Sequence, residues 1–281
     1  MNERTEVGMQ SEFWNEAGGR MWIDNIEQTH ALLQPLGDAL LVRAAPKTSE
    51  AVLDVGCGGG LNSIEIARLV GESGSVCGVD VSELILNYAR SQPGLPGNLE
   101  FACVDAAKEN FGGERFDLLF SRFGVMFFED PKAAFANLRK SLRPGGRLTF
   151  QCWQAPQKNP WLSCPMQAAF EVLPAPAAAS DPRAPGPFAF AEDNWIREIL
   201  TDAGFTNVEI ENLEIDMPMG TLEEAVAYSM RFGPAVEALN EASADERQLV
   251  ERGIRAAYEP FAGDEGVIGP TATWIVTADR R

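Results

Sequence analysis

The 281-residue chain has one histidine, His30, and five cysteines, Cys57, Cys77, Cys103, Cys152 and Cys164, with no C-x-x-C pair among them. A structural zinc cage needs four Cys or His ligands at close spacing, so none is expected, and no metal is assigned. The cysteines are read as reduced thiols, most of them buried. Long apolar runs are missing too: no stretch approaches the roughly eighteen residues of a membrane-crossing helix. The opening MNERTEVGMQSEFW lacks the basic-then-apolar order of an export signal, so a cytoplasmic protein without membrane insertion is expected. Positive charge is scarce: 23 Lys and Arg face 41 Asp and Glu, a net charge of −18. A field of that sign repels phosphate backbones and argues against nucleic acid as a partner. Residues 205–265 hold 14 of the acids and 4 of the basic side chains. A solvated helical face explains that bias; an acidic lid favouring a cationic or neutral ligand is the alternative.

What is present is ordinary globular material, 45% hydrophobic and 23% charged, enough for one large core. From Ala51 onward, short aliphatic runs alternate with helical patterns, as in a parallel sheet with crossover helices. Strands are predicted at 51–55, 75–80, 98–104, 116–120 and 147–153, then at 205–215 and 271–277. Ser82 is placed to cap one helix and Pro131 to open another. Five prolines in 174–187 predict an exposed loop, and helices are predicted at about 191–203 and within 221–259. The fold class is therefore α/β, a doubly wound, mostly parallel seven-stranded sheet of Rossmann-like type with helical lid insertions. A helical arm over residues 1–50 precedes a domain over 51–281, with inserts at about 154–190 and 217–262. All three additions are placed to cover one site.

In an open parallel sheet, ligands bind beyond the carboxyl ends of the strands near the point where strand order reverses. The first strand runs into Asp54-Val55-Gly56-Cys57-Gly58-Gly59-Gly60, where missing side chains let backbone amides approach a ligand at a helix N-terminus. A dinucleotide fingerprint starting at Gly56 and Gly58 needs Gly or Ala at position 61, which is Leu61. The pattern D-x-G-x-G-x-G is met at every position by Asp54, Gly56, Gly58 and Gly60. Asp80 ends the second strand, where a carboxylate can accept from two ribose hydroxyls, and Asp105 ends the third.

VLDVGCGGG (52–60), VCGVDVS (76–82), FACVDAA (101–107), FDLLFSRFGVMFF (116–128) and LRPGGRLTF (142–150) stand in the order and near the spacing of one family. Over about 50–153 the chain resembles the small-molecule, ubiquinone/menaquinone-type branch of the class I S-adenosylmethionine-dependent methyltransferases. That resemblance implies S-adenosyl-L-methionine as cofactor, S-adenosyl-L-homocysteine as product, and methyl transfer by in-line displacement. It implies that Gly56 and Cys57 contact the amino-acid end, Asp80 and Val81 the ribose and an adenine face, Asp105 and Ala106 the adenine amine, and Ser121 the mouth of the site. FWNEAGGRMW (13–22) resembles the lead-in of the same branch, with Arg20 and Trp22 on the cofactor side.

The acceptor is less legible. His30 is the one side chain whose ordinary pKa lies near neutrality, so it is the candidate base; an exposed helical histidine without a role is the alternative. Arg122 is read as orienting an anionic group or forming a structural ion pair, and Phe123, Met126, Trp153 and Trp161 as apolar walls or core. The turn Ser121-Arg122-Phe123-Gly124 differs from the N/D-P-P-Y/F turns of enzymes that methylate DNA amines or protein glutamine, which leaves a small-molecule acceptor. Oligomeric state is not encoded in any motif. A cofactor-binding protein of this fold without methyl transfer, and a nicotinamide-dependent oxidoreductase, stand as the rival functions.

Overall fold

The structure is a computed structural model and describes residues 9–174, 181–233 and 235–281. Three helices come first: α1 (Met9–Asn15), α2 (Ala17–Asp24) and α3 (Ile26–Ala44). The alternating part follows as β1 (Ala51–Val55), α4 (Leu61–Val70), β2 (Ser75–Asp80), α5 (Glu83–Ser91), β3 (Leu99–Cys103), β4 (Phe116–Arg122), α6 (Pro131–Ser141) and β5 (Leu142–Trp153). Beyond it lie α7 (Pro160–Phe170), α8 (Asp193–Asp202), β6 (Thr206–Pro218), α9 (Leu222–Ser229), α10 (Val236–Glu241), α11 (Ala244–Tyr258), β7 (Ala262–Gly263) and β8 (Gly266–Asp279).

Seven strands pair in the order β3-β2-β1-β4-β5-β8-β6, and the short β7 pairs with β8 alone. β1 to β5 run parallel, while β8 is antiparallel to both β5 and β6. Strand order reverses between β1 and β4, which opens a crevice at their carboxyl ends.

Strand alternation distributes the core over both faces of the sheet. Val52, Val76, Leu118 and Phe120 pack with Leu40, Leu41 and Ala44 of α3 and with Ile66 and Val70 of α4. Their neighbours Leu53, Leu119, Leu148 and Phe150 belong to the opposite cluster with Phe135 and Leu138 of α6 and Ile196 and Ile199 of α8. Each such side chain contributes about 1.5–3 kcal/mol through burial. Leu36 and Leu40 are fully buried, so the C-terminal half of α3 is part of the core while its N-terminal half reaches the crevice.

The local signals act as their chemistry requires. The Ser82 hydroxyl caps α5 by accepting from the Ile85 amide, and Pro131 occupies the first turn of α6 behind the Asp130 cap. The C-terminal strand is longer than its sequence pattern, because Gly269 and Pro270 interrupt the apolar run. A Cβ on Gly269 would lie 2.7 Å from that of Trp161, so close packing explains the glycine. The predicted proline-rich loop lies partly at 175–180, outside the described residues; from 181 to 187 the chain forms turns and bends. One expectation is corrected: only Cys77 and Cys152 are buried, Cys57 and Cys164 are half-buried, and Cys103 is exposed because β3 is an edge strand.

Candidate active site

The turn after β1 reverses tightly because Gly56, Gly58 and Gly60 all take positive φ angles of 67, 54 and 80°. At Gly56 a Cβ would stand 2.7 Å from the Cα of Gly124, so this glycine lets the β1 and β4 turns touch. At Gly58 the nearest atom to such a Cβ is Nε1 of Trp22, 3.7 Å away, and the bare backbone faces the crevice. Gly60 serves packing: a Cβ there would meet the Phe101 ring at 2.6 Å, and the residue does not line the crevice.

Three carboxylates mark the strand ends. Asp54 is 2% exposed and accepts the Ser63 hydroxyl at 2.5 Å. Burial pushes its pKa up to about 6, opposed by that hydrogen bond and by the charge of Arg122. Asp80 accepts the Gly58 amide on Oδ2 and the Ser82 amide on Oδ1, both at 3.0 Å, and burial raises its pKa as well. Each of its oxygens keeps a second lone pair for a ligand hydroxyl. Asp105 accepts the Ala107 amide at 3.0 Å and pairs with Lys108 Nζ at 3.1 Å, while Val81 and Ala106 line the wall beside it.

The N-terminal helices roof this end. Ser82 Oγ donates to the Trp14 carbonyl at 2.6 Å, Asn15 Nδ2 donates to the Val81 carbonyl at 2.8 Å, and Asn15 Oδ1 accepts the Glu83 amide at 3.1 Å. These bonds stitch α1 to the start of α5. Trp22 lies over the glycine turn with a buried indole N–H that has no partner among the described residues. Arg20 lines the crevice from an exposed position on α2.

Part of the lining is aromatic. Phe123 adopts a left-handed backbone, φ 61°, and its ring stacks on Trp153 at 4.0 Å and 5°. Trp161 meets Trp153 edge-on at 5.7 Å, and Met126 completes the wall. Asn159, wholly buried, fixes this corner by donating to the Gln154 and Ala272 carbonyls and accepting the Ala272 amide. Tyr228 and Phe232 stack at 5.1 Å opposite, with the Tyr228 hydroxyl 3.0 Å from that of Thr29.

His30 and Arg122 also line the crevice. Burial and the nearby Arg122 charge push the His30 pKa down to about 4, so its imidazole is neutral at pH 7 and a weak base. Ser121 lies behind the wall: its hydroxyl donates to the Val55 carbonyl at 2.7 Å and accepts the Gly124 amide at 3.3 Å.

Thus the structure gathers Arg20, Trp22, His30, Asp54, Gly56, Cys57, Gly58, Asp80, Val81, Asp105, Ala106, Arg122, Phe123, Met126, Trp153 and Trp161 around one cavity of about 1580 Å³. A single-ligand pocket measures roughly 300–1,000 Å³, so there is room for two molecules side by side. Sequence reasoning missed Trp14, Asn62, Tyr228 and Phe232 as lining residues. FWNEAGGRMW carried a signal for Trp14; the others carried none, because they reach the cavity only through helix packing.

The site fits an adenosyl amino-acid cofactor. It offers a bare glycine turn, an orphaned buried indole N–H, and a strand-end carboxylate with free lone pairs. Residues 52–146 match the family described as "Methyltransferase domain". Over that segment the chain is similar to methyltransferases. The aklanonic acid methyltransferase DauC of a Streptomyces species (strain C5) is 34% identical over 118 residues, 41% of this chain and 54% of that protein. The ubiquinone/menaquinone biosynthesis C-methyltransferase UbiE of Cellvibrio japonicus is 29% identical over 177 residues, 59% of this chain and 71% of that one. Phosphoethanolamine N-methyltransferase 2 of Haemonchus contortus, solved with S-adenosyl-L-methionine, shares the fold at a TM-score of 0.61 and 18% identity, covering 98% of this chain and 61% of that one. Among the described residues, no helix is long and apolar enough to cross a membrane.

Proposed function

We propose that this chain is an S-adenosyl-L-methionine-dependent methyltransferase, with S-adenosyl-L-homocysteine as product, and that within the cytoplasm it methylates a small, largely apolar acceptor held against the Phe123–Trp153 stack. The observation that carries the reading is one continuous cavity lined both by Asp80 and Asp105 and by the aromatic residues Phe123, Trp153 and Trp161. The cofactor-side roles of Asp80, Val81, Asp105 and Ala106, with Arg20 and Trp22 on the covering arm, belong to the same proposal.

The bound cofactor supplies an electrophilic methyl group, so the chain's task is proximity, alignment and exclusion of water. The aromatic wall supplies a flat, dry surface, and α1 to α3 with the 185–187 turn and α9 to α10 close over it. Trp22, Gly58 and Asp80 would hold that cofactor, whose methyl group would be passed to a lone pair of the acceptor. An acceptor that carries a proton loses it to water. Neutral His30, weakly basic beside Arg122, is suited to accept a hydrogen bond from an acceptor hydroxyl more than to carry its proton away.

The test is incubation with methyl-labelled cofactor and a panel of phenols, quinols, carboxylic acids, amines and thiols. Label in an apolar aromatic acceptor is the expected result. Tight cofactor binding with no transfer to any class would favour the rival reading of a cofactor-binding protein without methyl transfer.

A further inference from the structure

Arg122 ends β4 with its guanidinium at the cavity wall, yet among the described residues no carboxylate oxygen comes within 4.0 Å of it. Its single hydrogen bond is a long one, from Nη1 to the Leu33 carbonyl at 3.4 Å. The carboxylates whose charge it feels are Asp54 and Asp38, neither in contact with it. A half-buried guanidinium in that condition lacks a counter-ion.

Asn62, in the first turn of α4, stands beside it. The residue is 6% exposed, and its side chain makes no hydrogen bond among the described residues. The two groups meet over Gly37 of α3: a Cβ there would lie 3.0 Å from Arg122 Nη1 and 3.3 Å from Asn62 Nδ2. They therefore converge next to the glycine turn, where the unfilled amides of the α4 start add positive potential.

The cofactor brings one negative group into this region, the α-carboxylate of its methionine moiety. Asp54 and Asp80 line the same end of the cavity, and the chain carries a net charge of −18. A carboxylate entering that field needs a dedicated cation, whereas the sulfonium and ammonium of the cofactor do not. We propose that Arg122 and Asn62 seat the α-carboxylate of the cofactor, which makes Arg122 a positioning residue for methyl transfer and leaves the aromatic wall to the acceptor. The proposal rests on the reading of this cavity as the cofactor site. Arg20, exposed at the rim and screened by water, is a competing cation among the basic residues that line the cavity.

Calorimetry with two ligands tests it: S-adenosylhomocysteine and its decarboxylated analogue, S-adenosyl-3-thiopropylamine. Arg122→Gln should weaken S-adenosylhomocysteine by about 10- to 100-fold, as loss of a charge-assisted hydrogen bond does, and leave the analogue unchanged. Asn62→Asp, which sets a negative charge beside the seat, should weaken the first ligand and leave the second unchanged or tighter; it carries the test if Arg122→Gln fails to fold. Equal losses for both ligands, no loss for either, or loss of discrimination in Arg20→Gln instead would overturn the proposal. Failure of the wild-type protein to bind either ligand would instead sink the reading of the cavity as a cofactor site.

Discussion

The amide of Gly58 donates to Oδ2 of Asp80 across 3.0 Å, so the end of β2 holds the glycine turn that follows β1. The carboxylate fixes the turn, and in the proposed cofactor site its remaining lone pairs would face the ribose. Asp80→Ala should weaken S-adenosylhomocysteine binding by about 1–3 kcal/mol. Calorimetry on a variant whose circular dichroism matches the wild type decides the matter. An unchanged affinity would show that the ribose is held elsewhere.

Phe123 occupies a backbone conformation that disfavours every residue with a Cβ. Removing its ring loses the stack on Trp153 in any variant, but glycine also relieves the φ of 61°. Phe123→Gly should therefore be more stable than Phe123→Ala by about 1 kcal/mol, the reverse of the usual ranking. Urea unfolding of the two variants is the measurement. An alanine variant equal to or more stable than the glycine variant would mean that the turn relaxes once the ring is gone.

His30 and Asp54 bend the pH dependence of stability in opposite directions. The folded-state pKa of His30 is about 4 against an ordinary 6.5, so between those values the unfolded chain binds a proton that the folded chain refuses. Its contribution makes the protein more stable as pH rises across that window. Asp54, at about 6 against 3.8, keeps a proton that the unfolded chain loses, so its contribution falls as pH rises from about 4 to about 6. His30→Gln isolates the first effect. The stability of the wild type relative to this variant should grow from about pH 4 to about 6.5 and level off above, when followed by urea unfolding. A difference that does not change with pH would mean that the imidazole titrates normally in the folded protein.

Local chemistry made much of this fold readable. β1 and β2 occupy the predicted residues because aliphatic runs bounded by turn residues leave little choice, and the Ser82 and Pro131 caps act over a single turn. The strand ends that carry Asp54, Asp80 and Asp105 were legible for the same reason. Ser121 shows the limit of the motif: its position after the switch-point strand is right for the mouth of a site, but its hydroxyl bonds inward to Val55 and Gly124. β8 was half-read, since Gly269 and Pro270 break the pattern inside a strand held by its neighbours.

The sequence by itself determined the order of elements, the glycine turn and the three strand-end carboxylates, because each depends on residues close along the chain. Asp80 and Gly58 are 22 positions apart, yet the parallel pairing of β1 with β2 makes their meeting nearly automatic. Only the tertiary structure decided what surrounds Arg122. Asn62, Leu33 and Gly37 come from two helices that pack against the switch point, and that packing sets a half-buried guanidinium and an unpartnered amide on either side of Gly37. Whether a charge is paired is a property of three-dimensional neighbours, and no periodicity along the chain records it.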